Sequence, residues 1–100
     1  MPKETFTVFD AADYLDTPEA VSAYLDDVFS DGDPRLITHA LGVVARAQGM
    51  SGIAAKTGIS RQGLYKALTA DARPEFSTVI GVLGAMGYRL RAEPKLAEAG

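Results

Sequence analysis

MSGIAAKTGISRQGLYKAL, residues 50–68, decides how the whole chain is read. Two short helical patterns adjoin here and break at Gly58. Ala54 stands four residues before that glycine and Leu64 six after it. A small residue on the first helix lets the second pack closely. Glycine enters the left-handed region without a Cβ clash. An apolar residue one turn into the second helix holds it to the core. The spacing predicts a helix-turn-helix over 51–68, capped by Ser51 and Ser60. Ile59 and Leu64 have the spacing of a hydrophobic staple, which would fix how the second helix leaves the turn. Ile53, Ala54, Leu64 and Leu68 then point inward. Arg61, Gln62, Tyr65 and Lys66 are left on or near the open side.

Outward from this stretch, helical signals continue in both directions. Thr17 and Asp33 precede Pro18 and Pro34. A capping side chain followed by a proline that loses no useful hydrogen bond starts a helix well. Val21, Tyr24, Leu25, Val28 and Phe29 form one apolar stripe. Ile37, Ala40, Leu41 and Val44 form the next, widened by Leu36 and Val43. Arg35, His39, Gly42 and Arg46 fall on the opposite face, and Gly49 ends that helix. After the loop 69–75, a fifth helix runs to about Met86. Phe76, Val79, Ile80, Leu83 and Met86 make its inward stripe. Gly81 and Gly84 are expected to admit another backbone closely.

Beyond the Gly87 stop, Tyr88, Leu90 and Ala92 alternate with Arg89, Arg91 and Glu93. This predicts a short C-terminal β-strand that needs a pairing partner. TFTVF (5–9) alternates weakly, and Asp10 can cap a turn behind it, with Phe9 and Tyr14 at staple positions. The expected class is all-α, with about five helices and that one strand. Residues 1–16 form a segment suited to a partner, 17–94 the helical domain and 95–100 a flexible tail.

The composition, 47% hydrophobic and 23% charged over 100 residues, suits a single globular domain. No apolar run is long enough to span a membrane, and the N-terminus lacks a signal-peptide core, so a cytoplasmic chain without a membrane partner is expected. No cysteine is present, which excludes disulfides and thiolate metal sites. The net charge of −3 divides unevenly. Residues 1–49 carry three bases against nine acids, and residues 50–100 carry seven bases against four. A basic second half suits a polyanion.

A helix presented as in 61–68 fits the DNA major groove. Arg61 is suited to guanine and Gln62 to adenine, each through two hydrogen bonds. Ser51 and Ser60 stand at helix starts, where free N–H groups suit phosphate oxygens. Lys66 and Arg73 are candidates for the DNA backbone, and Tyr65 for a phosphate or a thymine methyl. Catalysis finds no support: His39 is the only histidine, and no acid accompanies it on its helix face. Asp26, Asp27, Asp31 and Asp33 lack the order of a calcium-binding loop. Neither a metal nor a cofactor is expected, and the chain is not read as an enzyme.

The chain also resembles a family. TVFDAADYL (7–15), AVSAYLDDVFSDGDPRLITHALGVVARAQGMS (20–51), TGISRQGLYKAL (57–68) and FSTVIGVLGAMGYRL (76–90), followed by Pro94, are similar to the HigA-like antidote proteins of addiction modules. One departure is Ala72–Arg73, where that family often has Gly-Asn before the proline. The resemblance implies a lambda-repressor-like helical domain. It implies an antitoxin that silences a toxin ribonuclease of the RelE/HigB type and represses its own operon. The matching DNA-reading positions are Ser60, Arg61, Gln62, Tyr65 and Lys66. Phe9 and Tyr14 become candidate toxin contacts, and the acidic first half a counterpart to a basic ribonuclease. A homodimer is expected, because two half-sites call for two-fold symmetry. Two other readings compete: a stand-alone, phage-like repressor without a toxin, and an interaction module that leaves DNA alone.

Overall fold

The computed structural model describes residues 15–69 and 71–96, and these hold five α-helices and no strand. In chain order they are α1 (Pro18–Asp31), α2 (Pro34–Gln48), α3 (Met50–Thr57), α4 (Arg61–Ala67) and α5 (Phe76–Ala85). The first two begin as the caps predict. Thr17 Oγ1 accepts from the Ala20 N–H at 3.1 Å. Asp33 Oδ1 accepts from the Arg35 N–H at 2.9 Å. Each removes one of the N–H groups that a helix start leaves unpaired.

α2 is the central element. Ala40, Leu41, Val43, Val44 and Ala45 are all buried. Helices α1, α3 and α5 pack on it, and α3 also packs on α4 and α5. The core is completed by Val21 and Leu25 of α1, Ile53 and Ala54 of α3, Leu64 of α4, Leu68 just beyond it, and Val82, Leu83 and Met86. Tyr24, Val28 and Phe29 are half-buried against it.

Several expectations need correction. The stretch 88–93 is no strand, because no described segment runs beside it to complete a ladder. Instead the Tyr88 N–H turns back to the Leu83 carbonyl at 2.8 Å. Leu36 is exposed, as are Phe76 at 68% and Ile80 at 40%. On α5 the buried line runs through Val82, Leu83 and Met86, so the helix is rotated from the predicted stripe. Among the described residues, Gly81 and Gly84 have no neighbouring atom within 4 Å of where a Cβ would stand, so no described backbone approaches them. The close approach occurs at Gly42, which is buried against Leu68 and not on an outer face.

The cap expected at Ser51 is absent. Gly49, at φ 107°, closes α2 and opens α3 at once. Its N–H donates to the carbonyls of Ala45 and Arg46, and its own carbonyl accepts from the Ile53 N–H. α3 therefore starts at Met50, and Ser51 lies inside the first turn. The segment 1–14, with Phe9 and Tyr14, lies outside the described residues, as do residues 97–100 of the expected tail.

Candidate nucleic-acid interface

The α3–α4 unit is built from short-range bonds. Gly58 takes φ 77° and its N–H donates to the Ala54 carbonyl at 3.0 Å. A side chain at that φ would be strained, which is why the glycine stands there. Thr57 braces the same turn from the side. Its hydroxyl donates to the Ala54 carbonyl at 3.1 Å and accepts from the Ile59 N–H at 3.3 Å. Thr57 has no role in the predicted motif. A threonine before a helix-ending glycine was the available signal.

α4 then starts from Ser60, whose Oγ accepts from the Gly63 N–H at 2.9 Å. A Cβ at position 63 would stand 3.0 Å from that oxygen, so glycine leaves room for the cap. Ser60→Ala should therefore cost about 1 kcal/mol of stability. Urea denaturation checks it: the midpoint should fall while the slope with denaturant stays constant.

Leu64 is fully buried and Leu68 nearly so, and these two hold α4 to the core. Ile59 is half-buried against the same core, as the staple predicts. Helical periodicity then places the remaining side chains outward. Arg61, Gln62, Tyr65 and Lys66 are all exposed, Tyr65 at 41%. The Arg61 guanidinium carbon lies 5.5 Å from the centre of the Tyr65 ring. Such a contact contributes about 0.5–1 kcal/mol at an exposed site. It holds the guanidinium near the ring but leaves its in-plane N–H donors available.

Ser51 and Arg73 are exposed too. Ser51 is on α3, and Arg73 is in the segment between α4 and α5. That segment is tied to α2 by an ion pair, Arg35 Nη2 to Asp71 Oδ1 at 2.9 Å. Both partners are largely solvated, so the pair orients the segment weakly. Among the described residues, no bond joins Arg73 to the α4 face. Nothing local in the sequence connects Arg35 with Asp71, so the pair becomes visible only in the fold.

Taken together, α4 presents a guanidinium, a carboxamide, a phenol and an ammonium on one solvated face. The guanidinium and the carboxamide match purine edges, and the ammonium suits a phosphate. Among the described residues, no group of three His, Asp or Glu side chains stands close enough to hold a metal ion. No described helix is long and apolar enough to cross a membrane.

With this architecture in view, the chain can be compared with known proteins. It matches the family described as probable addiction module antidote protein over residues 5–94, and it belongs to that family. An uncharacterised protein of Haemophilus influenzae is 41% identical over 85 residues, covering 85% of this chain and 88% of the relative. No solved structure matches.

Proposed function

We propose that this chain is a HigA-like antitoxin with a lambda-repressor-like helix-turn-helix, formed by α3 and α4, that binds operator DNA and represses its own operon. The observation that carries the reading is the solvated α4 face. Arg61, Gln62, Tyr65 and Lys66 stand outward while Leu64 and Leu68 anchor the helix from behind. In this reading Arg61 and Gln62 read bases, Tyr65 touches a phosphate or a thymine methyl, and Lys66, Arg73, Ser60 and Ser51 meet the DNA backbone. Catalysis has no part in it, and the chain acts in the cytoplasm.

Arg61→Ala should weaken binding to the chain's own upstream DNA by about 1–3 kcal/mol and relax the base preference at one position. Titrations at several salt concentrations, with the wild type and scrambled DNA alongside, check both points. Binding by the wild type should fall steeply with salt. Absent or salt-independent binding would sink the DNA reading.

Membership of the antidote family supports a toxin partner. We assign that partner to the RelE/HigB ribonuclease type, with Phe9 and Tyr14 as contacts and the acidic first half as an electrostatic match. Co-expression with the adjacent gene, scored by rescue of growth, tests this. If that gene is not toxic, a stand-alone repressor replaces the antitoxin reading.

A homodimer completes the assignment. The face of α5 with exposed Phe76 and Ile80 beside the open Gly81 and Gly84 is its best surface. α5 carries no charged residue that would repel a second copy.

A further inference from the structure

Two concavities meet at one hydrogen bond. The Ser22 and Tyr88 hydroxyls lie 2.9 Å apart, and both residues line both hollows. The hollow on one side, lined also by Leu15 and Met86, is where the described chain begins. On the other side a groove of about 690 Å³ runs between α1 and the stretch 88–96. Leu25, Phe29 and Leu83 contribute its apolar lining, and Leu90, at 42% exposure, stands with them. Arg89, Arg91 and Lys95 line it against two acids, Asp26 and Glu93. Among the described residues, the backbone from 89 to 96 makes no backbone hydrogen bond. Its N–H and C=O groups are thus open to an incoming chain.

We infer that this groove receives residues 4–14 of the same chain. Three observations select that occupant. The first is where it starts: Leu15 lines the hollow that shares Ser22 and Tyr88 with the groove. The second is reach. Eleven residues span up to ~36–40 Å when extended, whereas Tyr88 to Leu96 cannot exceed ~29 Å. The third is charge. Residues 4–14 carry Glu4, Asp10 and Asp13 with no base, opposite Arg89, Arg91 and Lys95. Phe6 and Val8, which share one face of an extended segment, supply apolar side chains for the lining. A second copy of stretch 88–96 is the poorer occupant, because it would set Arg89, Arg91 and Lys95 against their own kind. The inference does not depend on toxin or DNA binding.

The chain has no cysteine, so a single nitroxide can be placed without other changes. The experiment uses full-length, ¹⁵N-labelled Thr7→Cys protein carrying that nitroxide, at a position given no part in the lining. Amide signals of residues 25–29 and 89–96 should lose several-fold more intensity than those of α4, and ascorbate should restore them. Uniform loss, no loss, or loss centred on α4 would overturn the inference. A mixture of spin-labelled ¹⁴N chain with unlabelled ¹⁵N chain should show no loss; loss there would assign the groove to a second copy and overturn it equally. Arg89→Glu with Arg91→Glu should abolish the selective loss while signals of α2 and α3 stay in place. Retained selective loss in that variant would reject the charge argument and, with it, the choice of occupant.

Discussion

Leu64→Ala should lower stability by about 2–5 kcal/mol, the range for emptying a fully buried leucine site. The buried methyl groups are lost and a cavity replaces them, because helices on a shared core relax only in part. For a domain of this size each kcal/mol moves the melting temperature by about 4–8 °C, so the change should be plain in a thermal melt. Its effect on DNA is separable from that of Arg61→Ala. Leu64 touches the core and Arg61 the solvent, so the first variant should lose DNA binding as the protein melts. The second should weaken it in the folded protein, with the melting temperature lowered only by about 2–8 °C as the Arg61–Tyr65 contact is lost. If Leu64→Ala melts like the wild type, α4 is not held as the structure describes.

Gly42→Ala should destabilise, although alanine is the better helix former by about 1 kcal/mol. A Cβ at position 42 would stand 2.7 Å from the Leu68 carbonyl oxygen. That oxygen belongs to the backbone, and Leu68 is itself buried and bonded through its N–H to the Leu64 carbonyl. It has little freedom to yield, and overpacking of this kind costs about 1–3 kcal/mol. Gly52→Ala supplies the contrast. Gly52 lies within α3, exposed and with no neighbour within 4 Å of a Cβ. The same substitution should stabilise there by about 1 kcal/mol. Opposite signs in parallel denaturant titrations are the expected result. A stabilising Gly42→Ala would mean that α4 sits farther from α2 than the structure has it.

Local chemistry was the legible part of this chain. Thr17, Asp33 and Ser60 each make the capping bond that their type and position announce, and Gly58 takes the left-handed φ that its turn requires. These signals act within a few residues. Ser51 carried the same signal but lost the cap to Gly49, because the preceding helix ends on the residue where the next begins.

Relations between distant residues were not legible. By its own helix, Gly42 belongs with Arg35, His39 and Arg46; only the arrival of Leu68 makes it an interior position. In α5, FSTVIGVLGA offers no charge to mark the outer face, so periodicity alone chose Phe76 and Ile80 over Val82. At 88–93 the alternation predicts a strand that the described residues do not form. Whether extended chain becomes a strand depends on a neighbour that alternation cannot supply.

The connections between helices have unequal tolerance for change in length. Two residues join α1 to α2, Gly49 alone joins α2 to α3, and three residues join α3 to α4. One added residue at Gly49 would have to be absorbed by turning α3 about its axis, roughly 100° in a helix of 3.6 residues per turn. That would carry Ile53 and Ala54 out of the core. The segment between α4 and α5 runs from Leu68 to Glu75; Asp71 and Arg73 within it are exposed, and Asp71 makes a solvated ion pair with Arg35. Insertions and deletions among relatives should therefore collect between 69 and 75 and spare the three earlier joints. Each such change would reset Asp71 and Arg73 and leave the heading of α4 untouched.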